Sequence, residues 1–398
     1  MPCNDNSTKL IDLKDVIVKN VVQKAQITEI HIELTQKEHR CPCCGAATRT
    51  VHDYRIQHIK DIPILGKNVE LILRKRRYRC QCGKRFFEEN SFLPRYFRMT
   101  NRLSAFIINK LAGVSSFTSV AKEVALSVST VIRVFNLVNY PSGTLPQAIG
   151  IDEFKGNTGK DKYQCIITDL NNNRVIDILE TRYKQDLFSY FKHFDRSKTA
   201  YFVSDMWETY RDVSNTYFKK ATYVIDKYHY ARQVFWAFES VRKEEQKKHI
   251  KETRLAFKHS KGILYKRYDK LTPDEKIRVD TILYIGSDLL EAHYMKEQFL
   301  KLCGLRDPDI KKEALKEWIT MARESHIQRF RDCGETFSRW FEGIVNSFYC
   351  SYSNAFTEGC NNKIKVLKRN AYGYRNFNRF RNRILHMFSN QNKIQAAT

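Results

Sequence analysis

Residues 147–156 read "QAIGIDEFKG", a short apolar run that reaches two adjacent carboxylates, Asp152 and Glu153, and then a turn. The pattern predicts a buried strand ending at that pair. Downstream, "KYQCIITDLNNNRVIDILE" (162–180) supplies two more strands joined as a hairpin at Asn171-Asn172-Asn173. "YKQDLFSYFKHF" (183–194) reads as a helix. "TAYFVSDMWETY" (199–210) holds a strand ending in Asp205, and "KKATYVIDKYHYARQVF" (219–235) one ending in Asp226 that runs into a helix. The order β, ββ, α, β, α, β, α is that of an α/β core.

This is the order expected of an RNase H-like fold. Asp152 and Asp205 close neighbouring buried strands, and burying like charges together is costly unless a cation lies between them. Hard carboxylate oxygens suit magnesium or manganese, and two such ions clamp the attacking and leaving oxygens of an in-line phosphoryl transfer. The plainer reading makes both aspartates turn or helix-cap residues. Asp226 and His229, in "DKYHY" (226–230), are accessory candidates near the same strand ends, or else a cap and a packed ring. A third carboxylate must come from further on. From 227 to 345 the text is helical and heavily charged, which predicts a helical insertion. Then "SNAFTEGCNNKIKVLKR" (353–369) opens a helix with Glu358, Asn362, Lys365 and Arg369 on one face and Cys360, Ile364 and Leu367 on the other. Glu342, set among Trp340, Phe341 and Ile344, fits a packing helix better than a metal site.

Upstream of the linker "NYPSGTLPQ" (139–147), "NRLSAFIINKLAGVSSFTSVAKEVALSVSTVIRVFNLV" (101–138) reads as three helices, with a short turn near Leu126-Ser127. Val120, Ala121 and Val124 face inward, as do Val128, Val131, Ile132 and Phe135. This is a helix-turn-helix pattern that leaves Ser127, Ser129, Thr130 and Arg133 for a major groove. Earlier still, "HRCPCCGAAT" (39–48) and "RYRCQCGKRF" (77–86) gather five of the eleven cysteines into two knuckles joined by the strand-like "VELILRKRRYR" (69–79). Cys41, Cys44, Cys80 and Cys82 make a four-thiolate structural zinc site, with Cys43, His39 or His52 as alternative ligands. Arg74, Arg76, Arg77 and Arg79 then lie on a basic strand suited to phosphates.

Composition agrees with a nucleic-acid partner. The chain has 398 residues, 69 basic and 44 acidic side chains, and a net charge of +25. Its N-terminus lacks the apolar run of a secretory signal and no stretch is long enough to span a bilayer, so a cytoplasmic, nucleoid-associated protein with no membrane partner is expected. In a reducing compartment, clustered cysteines read as metal ligands rather than disulfides.

"GIDEFKG", "VSDMWETY", "DKYHY" and "SNAFTEGCNNKIKVLKR", with "CPCCG" and "CQCGKRF" upstream, resemble the ISL-three family of DDE insertion-sequence transposases over about residues 40–388. The resemblance implies a multidomain chain: an N-terminal extension (1–38), a zinc finger (39–98), a helix-turn-helix domain (99–140), an RNase H-like core (146–235) and an all-α insertion (236–345). The last core helix and a basic segment (346–388) and a tail (389–398) follow. It implies binding to double-stranded DNA, both terminal inverted repeats and target, as a homo-oligomer, a dimer, in the complex. Asp152, Asp205 and Glu358 would hold two Mg2+ or Mn2+ ions for cleavage and strand transfer, Zn2+ would be structural, and Lys365 and Arg369 would contact DNA. "YGYRNFNRFRNR" (372–383) adds basic and stacking groups. Two rivals stand beside this reading: a zinc-finger and helix-turn-helix regulator with an inactive core, and an RNase H-like nuclease that hydrolyses without joining.

Overall fold

The computed structural model describes residues 11–94 and 96–389; Cys3, with the rest of the first ten residues of the expected extension, and residues 390–398 of the expected tail lie outside them. The chain forms two compact units, residues 1–140 with 366–398, and residues 141–365.

In the first unit, β1 (Val16–Gln23), β2 (Ile27–Leu34), β5 (Val51–Ile64) and β6 (Lys67–Arg79) form a sheet in the order β1-β2-β6-β5, with β7 (Arg85–Phe87) on β6. The expected N-terminal extension is therefore part of the sheet. Val16, Val18, Ile30, Ile32 and Leu34 alternate along β1 and β2 and bury one face against Ile59, Val69, Leu71 and Leu73. The short hairpin β3 (His39–Arg40) and β4 (Ala47–Thr48) carries the first cysteine knuckle. Three helices follow: α1 (Asn101–Lys110), α2 (Phe117–Glu123) and α3 (Val128–Phe135). Thr100, Ser116 and Ser127 cap their N-termini, each accepting a backbone N–H three residues on. The inward face is as expected except at α3, where Val134 is buried and Val128 is 37% exposed, because Val128 is the first helical residue and lies off the stripe formed by Val131, Val134 and Phe135.

The second unit holds the core read from the sequence. β8 (Ala148–Thr158), β9 (Asp161–Asp169), β10 (Arg174–Leu179), β11 (Tyr201–Ser204) and β12 (Thr222–Ile225) lie in the order β10-β9-β8-β11-β12. β9 runs antiparallel to both β8 and β10, whereas β11 runs parallel to both β8 and β12. β8 does not end at Asp152. It continues to Thr158 with Phe154, Gly156 and Thr158 buried in alternation, so Asp152 sits mid-strand opposite Ile166. α4 (Lys184–Lys192) and α5 (Glu208–Tyr217) cover one face through Leu187, Phe191, Tyr210 and Val213.

Beyond Ile225 the described residues contain no strand. α6 (Lys227–Lys247), α7 (Lys251–His259), α8 (Lys261–Tyr265), α9 (Pro273–Ile285), α10 (Ser287–Gly304), α11 (Pro308–Glu324), α12 (Gln328–Arg339) and α13 (Phe341–Tyr349) pack around Val234, Phe238, Phe299, Trp318 and Phe337. Gly343 on α13 lets that helix approach β12 closely, since a Cβ there would fall 2.8 Å from Ile225. α14 (Ala355–Asn370) follows, then α15 (Phe377–Ser389).

In the segment expected to offer basic and stacking groups to DNA, Arg375 and Tyr372 are exposed but Arg383 is used inside the first unit. The buried Arg383 donates to the carbonyls of Leu111, Gly113 and Ser115, and its guanidinium lies over the rings of Phe117 and Phe135. His386 joins it, with Nδ1 2.5 Å from the Tyr140 hydroxyl and Nε2 2.7 Å from the Ile108 carbonyl. Those carbonyls follow the end of α1, where intrahelical donors run out.

Candidate active site and zinc centre

The two cysteine knuckles converge. Gly45 and Gly83 take positive φ (71° and 84°), which turns each loop so that its cysteines face inward. The Sγ atoms of Cys41, Cys44, Cys80 and Cys82 all lie within 4.8 Å of one another, Cys41 to Cys82 at 3.7 Å and Cys44 to Cys80 at 3.5 Å. Four sulfurs about 2.3 Å from a central zinc would be about 3.8 Å apart, whereas a disulfide needs about 2.05 Å. The set therefore fits tetrahedral zinc, and Cys43, His39 and His52 are outside it.

The basic strand is less available than its sequence suggests. Arg76 is 6% exposed: it donates to Glu88 (3.2 Å), Glu33 (3.0 Å) and the Leu34 carbonyl (2.7 Å), so its charge is consumed inside the module. This corrects its expected role as a phosphate contact. Arg74 pairs with Glu33 at 2.9 Å and stacks on Tyr54, Arg77 sits 3.5 Å from Asp53, and Arg79 is exposed. On α3 the hydroxyls of Ser129 and Thr130 lie 3.0 and 2.8 Å from the capping Ser127 hydroxyl, and Arg133 projects from an exposed face.

In the second unit Asp205 follows directly after β11, beside β8, and its carboxylate meets those of Asp152 and Glu153: one oxygen from each lies within 4.8 Å of the others. Burial, opposed by the Glu153 N–H and reinforced by the charges of Glu153, Asp226 and Glu358, pushes the Asp152 carboxyl up to about 7. Asp205 is likewise held well above the ordinary carboxylate range, by burial and then by Glu153 and Asp152, against the pull of Arg232 and Arg182. Its Oδ1 is buried with no hydrogen-bond partner. Two repelling carboxylates, one with an orphaned oxygen, form a site whose negative charge Arg182 and Arg232 do not balance.

The surroundings fix these groups. Asn361 on α14 donates to Asp152 Oδ2 at 2.9 Å. Glu153 is paired with Arg182 at 2.8 Å. Asp226 joins two helices: one oxygen caps α6 at Tyr228 N–H, and the other accepts the Asn354 N–H at 2.9 Å just before α14. His229 is driven below its usual range by burial and lies 3.4 Å from Arg232. Glu358 is exposed on the first turn of α14, outside the tight carboxylate group but near enough to repel Asp152. Asn362, Lys365 and Arg369 are exposed like it, opposite buried Cys360, Ile364 and Leu367.

Comparison with known proteins gives three family matches along the chain. Residues 149–384 match a transposase family model, residues 88–139 match the helix-turn-helix domain of transposase family ISL3, and residues 37–82 match the zinc finger of the transposases of IS204, IS1001, IS1096 and IS1165. The chain belongs to the ISL3 transposase family. It is 27% identical over 363 residues, 87% of this chain and 88% of the relative, to the transposase for insertion sequence element IS1001 of Bordetella parapertussis. A 107-residue stretch is 49% identical to part of a Lactococcus lactis subsp. lactis protein named ATP-dependent protease, covering 27% of this chain and 33% of that one.

This ISL3 transposase is thus a DNA-binding protein whose zinc ribbon precedes a helix-turn-helix and a transposase domain. Among the described residues no helix is long and apolar enough to cross a membrane. Sequence reasoning had not marked Glu153 or Asn361. Glu153 stands beside Asp152 in the sequence, but side chains adjacent in a regular strand point to opposite faces, so the pattern gives no signal of a shared site. Asn361 gave no signal, since only the packing of α14 against β8 brings it to Asp152.

Proposed function

We propose that this transposase binds the terminal inverted repeats of a bacterial insertion sequence and cuts and joins DNA strands in a divalent-metal-dependent reaction on an RNase H-like core. The supporting observation is the pair formed by Asp152, buried on β8, and the partly buried Asp205, directly after the parallel strand β11: the two repel each other, and one Asp205 oxygen is buried without a partner. The antiparallel β8-β9-β10 with parallel β11 and β12 is the strand arrangement on which an RNase H-like site is built. The helices from α6 to α13 are read as the insertion that separates the second carboxylate from the third.

Asp152, Asp205 and Glu358 are assigned to two Mg2+ or Mn2+ ions. Such ions, when bound, polarise the scissile phosphate and favour a deprotonated water or 3′-hydroxyl as nucleophile. The chain's own residues prepare for this. Asn361 holds the Asp152 carboxylate in one orientation, Arg182 neutralises Glu153 so that it does not add a fourth unpaired charge, and Asp226 ties α14, which carries Glu358, to the sheet. Asp226 and His229 are positioning groups in this account. Lys365 and Arg369 on the exposed face of α14, and Arg74, Arg77, Arg79 and Arg133 elsewhere, are assigned to DNA, and the active complex is assigned as a dimer.

The test is product analysis on duplexes carrying the element's ends and a target plasmid. Magnesium-dependent 3′-hydroxyl ends followed by joined products are expected. Binding without cleavage would favour a regulator with an inactive core, and cleavage without joining would favour a nuclease.

A further inference from the structure

Helix α6 begins at the active site. Its cap, Asp226, donates its backbone N–H to the Ser204 carbonyl at 2.9 Å, so the first turn of α6 lies beside Asp205. From there Tyr228, Arg232 and Trp236 recur every fourth residue, on the side opposite the buried Tyr230, Val234, Ala237 and Phe238. Tyr228 is 51% and Trp236 52% exposed. The Arg232 guanidinium lies between them, 5.3 Å from the Tyr228 ring centroid and 4.5 Å from that of Trp236. Its Nε has no hydrogen-bond partner, and its charge reaches Asp205. Two large exposed rings separated by a cation form a column that the packing of α6 does not use.

We propose that Tyr228, Arg232 and Trp236 form a stacking site for unpaired nucleotides of the DNA strand that flanks the scissile phosphate. The inference rests on the strand-cleavage reading and names the ligand class at that site. Base faces stack on aromatic rings and on guanidinium planes without regard to sequence, while the cation meets the adjacent phosphate. A column leading away from the carboxylates suits single-stranded DNA better than duplex, whose bases are already stacked on one another. The exposed rings, the intervening charge and the start of the column beside Asp205 all favour that occupant over an apolar protein partner, which would leave Arg232 unpaired.

The full-length, zinc-loaded protein is compared with Trp236→Ala and Trp236→Phe by measuring affinity, in calcium to suppress cleavage, for repeat ends that are blunt or carry a five-nucleotide single-stranded flank containing 2-aminopurine. The parent is expected to prefer the flanked end and to change the 2-aminopurine emission. Trp236→Ala should lose about 5- to 100-fold on the flanked end alone, and Trp236→Phe should keep most of that affinity. Equal affinities of parent and Trp236→Ala for the flanked end, or equal losses on flanked and blunt ends, would overturn the proposal. So would a change of oligomeric state in Trp236→Ala with flank affinity intact, which would assign the column to a second copy of the chain. Because the readout is binding, a parent that shows the flank preference but never cleaves would contradict the catalytic reading while leaving the stacking site standing.

Discussion

Neutralising Asp152 should stabilise the protein it disables. The Asp152 carboxyl is raised from 3.8 to about 7 in the fold, chiefly by burial. A carboxyl that holds its proton more tightly when folded favours the fold fully below about pH 4, and that advantage is lost as pH rises through 7. Its ionisation in the folded state above pH 7 therefore costs roughly 4 kcal/mol, about 1.4 kcal/mol for each unit of the shift. Asp152→Asn removes the cost. The substitution is accommodated locally, because Asn361 Oδ1 is buried without a partner and a flip of its amide would present that oxygen to the new side-chain amide, at the loss of the long 3.4 Å bond that Asn361 donates to the Glu153 carbonyl. The four tryptophans, Trp207, Trp236, Trp318 and Trp340, all lie in residues 141–365, so their fluorescence reports the unfolding of that unit alone. In magnesium-free urea titrations at pH 8, Asp152→Asn should exceed the parent by about 2–4 kcal/mol, with the difference shrinking towards zero near pH 4.5. Added magnesium should narrow the pH 8 gap by stabilising the parent. A difference that does not vary with pH, or an Asp152→Asn protein less stable at pH 8, would refute the reasoning.

Cys80→Ser should release the zinc measured by elemental analysis and unfold the ribbon, weakening binding to the element's ends while the tryptophan-reported transition stays in place. Arg77→Ala should weaken binding to all DNA alike and reduce the slope of affinity against salt by about one ion, whereas Arg133→Ala should lower only the preference for repeat ends in competition binding. Arg76→Ala should act differently from Arg77→Ala: with the buried Glu88 left without its cation and Glu33 keeping only Arg74, the first unit should lose about 3–5 kcal/mol in chemical denaturation.

Much of this architecture was legible because it is local. The β, ββ, α, β, α, β, α order, the helix-turn-helix and the paired knuckles follow from periodicity, caps and cysteine spacing, and the strands and helices appear where those signals stand. What sequence could not give is where charges end up. Arg76 and Arg77 are adjacent and chemically alike, yet one is buried on Glu33 and Glu88 while the other is half-buried near Asp53, a choice made by strands distant in sequence. Arg383 looked like a DNA contact because it sits in a basic run, and its use as a donor to three loop carbonyls depends on α15 returning to the helix-turn-helix. Asp152 and Asp205 were findable as carboxylates beside apolar runs, although only Asp205 lies at a strand end and Asp152 sits mid-strand. The third position was harder, since Glu153 meets the pair despite the alternation of strand side chains and Glu358 stands near it on a helix far along the chain.

The central claim is that Asp152, Asp205 and Glu358 form the metal-holding set while Glu153 is held by Arg182. Single-turnover cleavage of a repeat-end duplex in magnesium, with Glu358→Gln and Glu153→Gln run beside the parent and gel-shift affinity checked for each, tests it most directly. The account predicts that Glu358→Gln binds the end but does not cut it, and that Glu153→Gln cuts within about tenfold of the parental rate. Cleavage by Glu358→Gln, or loss of cleavage in Glu153→Gln with binding intact, would contradict it.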